Sequence, residues 1–127
     1  MRREFDLGSD DARALEALGY RWETVKVAGG LWLIIHKFPV PAGYNVEAAQ
    51  VAIRLDTYPP GIIDMAYFSP ALARTDGRPI NNLTEFPLDG SNYQQWSRHY
   101  SWTAGKDTLA THLRKVRGWL KHEFRKR

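Results

Sequence analysis

The chain has 127 residues, a formal net charge of +4, 43% apolar and 25% charged residues, and no cysteine. That length suits one domain over residues 1–127, and the composition excludes a disordered tail, a fibrous repeat, a disulfide framework and any thiol nucleophile or thiolate metal site. The longest apolar stretch, Leu31 to Ile35, is too short to cross a bilayer, and Met1-Arg-Arg-Glu-Phe-Asp lacks the apolar segment of a secretory signal, so a cytoplasmic protein is expected.

The charge is unevenly placed. Arg114 to Arg127 holds seven Lys or Arg against one acid, Glu123, while the remainder holds eleven against thirteen acids. A nucleic acid could exploit such a patch by releasing counterions. No aromatic and basic interleaving of a nucleic-acid module accompanies it, however, and a solvated helix face with cations at the negative end of its dipole accounts for it.

Ser9 followed by Asp10 and Asp11 reads as a helix start, with a capping hydroxyl and acids in the first turn. Ala14, Leu15 and Leu18 give that short helix an apolar face, and Gly19 ends it. Arg21 to Val27 alternates as a strand, Ala28-Gly29-Gly30 signals a turn, and Leu31 to Lys37 is rich in β-formers, which predicts a hairpin. Phe38-Pro-Val-Pro-Ala-Gly-Tyr44 is a rigid connection. Val51, Ile53 and Leu55 mark a third, half-buried strand; Tyr58-Pro59-Pro60-Gly61 breaks the chain; Ile62 to Phe68 is a fourth strand. Connections this short favour an antiparallel meander.

From Ser69 to about Ala104 the pattern fails, because Pro70, Pro79, Pro87, Gly77 and Gly90 interrupt every candidate element. Long irregular segments of this kind are often functional. Its aromatic residues suggest that it packs on the sheet. The last helix is the clearest element: Asp107 can cap it, and Leu109, Leu113, Val116, Trp119 and Leu120 form one stripe. Burying that stripe is worth on the order of 10 kcal/mol before entropy is charged against it. His112 reads as a packing residue at the edge of the stripe.

Reactive groups are few. His36, His99, His112 and His122 show no metal-ligand spacing, and Gly29-Gly30 lacks the lysine and helix of a phosphate loop, so neither metal nor cofactor is expected. Asp56 and Asp64 flank the Tyr-Pro-Pro turn and are expected to face solvent. Tyr93-Gln-Gln-Trp-Ser-Arg-His-Tyr100 is the one chemical cluster. Ser97 and His99, two apart, project to one side of an extended segment, where an imidazole could activate a hydroxyl. Arg98, Gln94, Gln95, Asn81 and Asn82 could face a developing oxyanion. Equally, Ser97, Arg98 and His99 could serve loop carbonyls that would otherwise lack partners, with Trp96 and Trp102 packed under the last helix.

The order helix, four-strand meander, long irregular flap and amphipathic helix resembles the α+β fold of ubiquitin-conjugating enzymes (UBC-like). Phe38-Pro-Val-Pro-Ala-Gly-Tyr44 precedes the third strand and Tyr58-Pro-Pro60 follows it, as a Tyr-Pro turn does in that superfamily. Phe68-Ser-Pro70, Trp96-Ser-Arg-His99, Trp102, Gly105, Asp107 and Leu109-Ala-Thr-His-Leu113 complete the string. From about Phe5 to Leu120 the chain is similar to prokaryotic family E of that superfamily. The resemblance implies a carrier in a bacterial conjugation pathway: an adenylating activating enzyme passes the C-terminus of a ubiquitin-like protein to this chain, which hands it to a lysine. It further implies a protease of the deubiquitinase type encoded in the same operon.

The superfamily carries its acyl group on a flap cysteine, which is absent here. Cysteine is partly thiolate near neutral pH and serine is not, so the exchange changes the chemistry. Either Ser97 accepts the acyl group as an oxyester, with His99 as base and Arg98 or an amide facing the oxyanion, or the chain is a catalytically silent module that binds and orients a ubiquitin-like protein. The oxyester is the expectation. Counted from Trp102, Tyr93 or Gln94 lies nearer the usual cysteine position, and Ser91 is a further hydroxyl; Asn81 or Asn82 is a poor match to the missing His-Pro-Asn asparagine. A third reading is nucleic-acid binding through the basic C-terminal helix.

Overall fold

A computed structural model describes residues 1–27 and 29–125. In chain order the elements are α1 (Ser9–Ala17), β1 (Arg21–Val27), β2 (Gly30–Pro39), β3 (Ala48–Arg54), β4 (Ala66–Ser69), β5 (Leu83–Leu88), β6 (Ser91–Trp96) and α2 (Leu109–His122), closed by a 3-10 turn over Glu123–Arg125. Ala28 of the expected first turn, and Lys126 and Arg127 of the basic segment, lie outside the described residues.

Strands β1 to β4 form the expected antiparallel meander. The fourth begins only at Ala66, four residues later than Ile62. The sheet has six strands in the order β1-β2-β3-β4-β6-β5, so the segment from Ser69 to Ala104 is not irregular throughout. Asp89 (φ 51°) and Gly90 (φ 77°) both take left-handed backbone, the two-residue turn whose twist suits a hairpin, and they join β5 to β6 with Leu88 opposite Ser91. Pro87 is tolerated because β5 is the edge strand, where a missing N–H need not interrupt a ladder.

One face of the sheet carries both helices. Leu33, Ile35, Val51, Ile53, Phe68 and Trp96 meet Leu15 of α1 and Leu109, Leu113, Val116 and Leu120 of α2 in one core. Trp119 is only half-buried, whereas His112 is fully buried and belongs to the interior of the interface, not to its edge. The opposite face holds a second cluster of Val25, Trp32, Ile34, Ala52, Tyr67, Leu88 and Tyr93. Phe86 of β5 reaches Trp32 of β2 at 5.5 Å between ring centres, so the β5–β6 hairpin curls back over this face.

Both helix starts differ from the sequence expectation by one residue. Gly8 is the N-cap of α1, Ser9 is already helical, and no side chain caps the end. Thr108, not Asp107, caps α2: its hydroxyl accepts from the Thr111 N–H while the Thr111 hydroxyl oxygen accepts from the Thr108 N–H. Asp107 stands one step out, accepting from the Thr103 N–H at 2.7 Å. At the far end the Tyr44 hydroxyl donates to the Leu120 carbonyl at 2.7 Å and Arg74 donates to the Glu123 carbonyl at 2.8 Å, which satisfies acceptors that a helix C-terminus leaves open.

Candidate active site

The expected site residues lie where β6 leaves the sheet. The Ser97 N–H donates to the Asn82 carbonyl at 3.1 Å on one side, and the Met65 N–H donates to the Arg98 carbonyl at 3.1 Å on the other. Residues 97 and 98 are thus suspended between the segments that flank β6 on both sides. The backbone is fixed, and each side chain then finds a different partner.

Ser97 is half-buried, and its Oγ accepts from Gln95 Nε2 at 3.2 Å. His99 turns outward, its side chain 66% exposed, and its Nδ1 lies 3.0 Å from Asp64 Oδ2. Arg98 turns inward: its guanidinium lies 4.8 Å over the Trp96 ring, donates to the Asn81 carbonyl at 3.1 Å, and approaches the Glu123 carboxylate at 3.5 Å. Ser97 and His99 stand two apart in the chain, but the fold gives their side chains separate hydrogen bonds. Arg98 joins the sheet to the end of α2.

Behind this surface lies a buried relay. His112 on α2 has Nε2 at 2.9 Å from the Met65 carbonyl and Nδ1 at 2.8 Å from the Tyr100 hydroxyl. A neutral imidazole satisfies both contacts, donating from Nε2 and accepting at Nδ1. Burial pushes His112 down to about 4, against the opposing pull of the Met65 carbonyl and the Asp64 charge. Met65 itself sits at φ 63°, a left-handed conformation rare for a non-glycine residue, with its N–H and C=O both engaged by the elements that close the site.

The alternative hydroxyls lie elsewhere. Tyr93 is 2% exposed, donates to Gln50 Oε1 at 2.7 Å, and is pushed up to about 12, chiefly by burial. Ser91 is exposed beside the Asp89-Gly90 turn, at the opposite end of β6 from Ser97. Gln94 is committed internally, bonded to both backbone groups of Leu72 and to Trp96 Nε1. Asn81 and Asn82 contribute backbone carbonyls to the site.

Sequence reasoning missed Asp64, which it left facing solvent. It is half-buried, and only the pairing of β4 with β6 brings it beside a histidine 35 positions away. Among the described residues no group of three or more His, Cys, Asp or Glu could hold a metal ion, and no helix is long and apolar enough to cross a membrane.

A helix, an antiparallel sheet with helices on one face, and a C-terminal helix closing over a Trp-Ser-Arg-His exit define a ubiquitin-conjugating-like fold. The family model described as prokaryotic E2 family E matches residues 7–123, nearly the whole chain, and the protein belongs to that family. Membership assigns it a ubiquitin-conjugating-like role, with ubiquitin-like proteins and activating enzymes as its general class of partner. No curated protein and no solved structure matches the chain.

Proposed function

We propose that the chain carries the C-terminus of a ubiquitin-like protein as an oxyester on Ser97 and transfers it to a lysine. The observation that carries this reading is the exposed His99 imidazole, held through Nδ1 by Asp64 at 3.0 Å, two residues from a hydroxyl. A carboxylate on one ring nitrogen fixes the tautomer and leaves the other nitrogen as a base. The reading requires His99 to turn its free ring nitrogen toward Ser97, whose hydroxyl is bonded to Gln95 in the resting structure.

Ser97 Oγ then attacks the activated carbonyl presented by an adenylating activating enzyme. The C–Oγ bond forms as His99 takes the hydroxyl proton; the bond from the carbonyl carbon to the activating enzyme's leaving group breaks, and His99 passes the proton to that group. In the second step a neutral lysine amine attacks the ester, the C–N bond forms, the C–Oγ bond breaks, and the proton lost by the amine returns through His99 to Ser97 Oγ. Gln95 Nε2, already 3.2 Å from Oγ, is the side-chain donor best placed to face the oxyanion, in preference to Arg98, whose guanidinium is occupied by Asn81 and Glu123. A protease encoded in the same operon would reverse the modification.

The second reading, a silent module that binds and orients the ubiquitin-like protein, is favoured by the bond that Gln95 makes to Ser97 in place of His99. One experiment separates the two. The protein is incubated with its activating enzyme, ubiquitin-like partner and ATP. An adduct that survives thiol reductant, is cleaved by alkali and is lost in Ser97→Ala supports the oxyester. An unchanged adduct in Ser97→Ala removes Ser97, and complex formation without any adduct establishes the docking module.

A further inference from the structure

A concavity of mixed polar and apolar lining lies on the other face of the sheet, at the end where β2 and β3 part and β6 begins. It encloses about 490 Å³ and is lined by Arg21, His36, Lys37, Gln50, Ser69 and Ser91 among others, with no acid among its described lining residues. We propose that this cavity binds a phosphomonoester, the phosphate held by Arg21 and Lys37.

Three observations converge on it. First, the two cations are uncommitted. Every described ion pair of the protein engages other residues, and neither Arg21 nor Lys37 has an acidic partner among the described residues. Glu23 is the acid nearest to them along β1, and it is already engaged, paired with Arg2 at 2.8 Å and hydrogen-bonded to His36 at 2.6 Å.

Second, Lys37 is placed there by a backbone irregularity. The β2–β3 register shifts between Ile35 and Phe38, and Lys37 sits within the bulge at φ 54°, a conformation that a lysine side chain gains nothing locally by adopting. Bulges re-aim side chains and are frequent beside functional sites. Glycine at this position would relieve the strain, yet the chain has a lysine there, with its cation at the cavity.

Third, the cavity wall is held by a continuous network. The Tyr93 hydroxyl donates to Gln50 Oε1 at 2.7 Å, Gln50 Nε2 donates to His36 Nδ1 at 3.3 Å, and His36 Nε2 donates to Glu23. Two cations and the hydroxyls of Ser69 and Ser91 match a dianion with three acceptor oxygens better than a single carboxylate. The volume exceeds that of a bare phosphate and leaves room for the esterified carbon group against Ala48, Ala49 and Pro70.

The test is an NMR titration of the full chain with phenyl phosphate, inorganic phosphate and benzoate at constant ionic strength. Phenyl phosphate is expected to bind tightest and saturably, shifting the amides of Lys37, Gln50, Ser69 and Ser91. Lys37→Gly and Arg21→Gln are each expected to weaken it by about tenfold, the loss of one charge-assisted contact. Because Lys37→Gly relaxes a strained φ, its melting midpoint should stay level or rise, which separates lost binding from lost fold. Equal binding of inorganic phosphate assigns the site to the free ion and overturns the ester. Binding no tighter than benzoate, binding unchanged in both variants, or shifts confined to the basic face of α2 overturns the site altogether.

Discussion

His112 has no exposed surface and both ring nitrogens engaged, which ties the stability of the fold to a proton. Its folded-state pKa, pushed down to about 4 by burial, lies below the 6.5 of a free imidazole. Between those values the unfolded chain binds a proton that the folded chain refuses. Stability contributed by neutral His112 is therefore complete above about 6.5 and is lost as the pH falls toward 4, by an amount on the order of 3 kcal/mol. Urea unfolding followed from pH 7 to pH 4 should show this slope, and His112→Gln should flatten it. Glu23 acts in a lower window: burial would raise its carboxyl, but the hydrogen bonds from Arg2 and His36 prevail and hold it at about 2, so its contribution fades only between 4.5 and that value. A slope that persists unchanged in His112→Gln between pH 6.5 and 4 would move the linkage to another group.

At the scale of elements, α2 is held at its C-terminal end by groups drawn from two connecting segments. Tyr44, 6% exposed, supplies the hydroxyl bonded to the Leu120 carbonyl, and Arg74 the guanidinium bonded to the Glu123 carbonyl. Tyr44→Phe keeps the ring but leaves that carbonyl without its donor, and chemical denaturation should report a loss of about 1–2 kcal/mol. Gly43 is the neighbouring constraint: at φ 105° a Cβ would stand 2.6 Å from the Phe124 ring, so Gly43→Ala forces either the loop or Phe124 to move. It should cost about 1–3 kcal/mol by the same measurement, with a smaller loss when the ring is first removed in Phe124→Ala.

The elements that could be read from the chain are those whose side chains alternate or recur with one period. Val51 and Ile53 announced β3, which stops one residue short of Leu55, and Leu109, Leu113, Val116 and Leu120 announced α2, because burial of one face leaves a regular mark. The β5–β6 hairpin left a mixed one. Leu83, Phe86 and Leu88 are spaced unevenly, and Pro87 and Gly90 look like breaks unless the strand is already known to be an edge and Asp89-Gly90 its turn. The candidate site was legible to the same extent. Ser97, Arg98 and His99 stand together in the chain, but their division of labour does not. Asp64, which holds His99, and Glu123, which receives Arg98, reach them only through strand pairing and helix docking, and no spacing in the sequence encodes those meetings.

Over the whole molecule, charge and sheet curvature are linked at one point. Arg2 lies beside β1 at one end of the strand order, and Asp89 caps the hairpin at the other, yet their side chains meet with Nη1–Oδ1 at 3.0 Å because the hairpin curls across the sheet. Arg2 is partly exposed, so the pair is open to screening. Asp89→Asn should lower the unfolding free energy by less than about 1 kcal/mol at low salt, and the difference from the parent should vanish near 1 M salt. A difference indifferent to salt would locate the effect in the turn and not in the ion pair.

The same arrangement governs how copies of the chain meet one another. Sheets usually recruit further strands at their margins, where unpaired amides template growth. Here the outer margin of β1 is already occupied, with Thr24 N–H bonded to the Arg2 carbonyl and Glu4 N–H to the Thr24 carbonyl, and Lys26 N–H is taken by the Glu4 carboxylate. The other margin carries Pro87, which offers no donor to a newcomer. Backbone-to-backbone growth is thereby blocked along much of the β1 margin and weakened at Pro87 on the β5 margin.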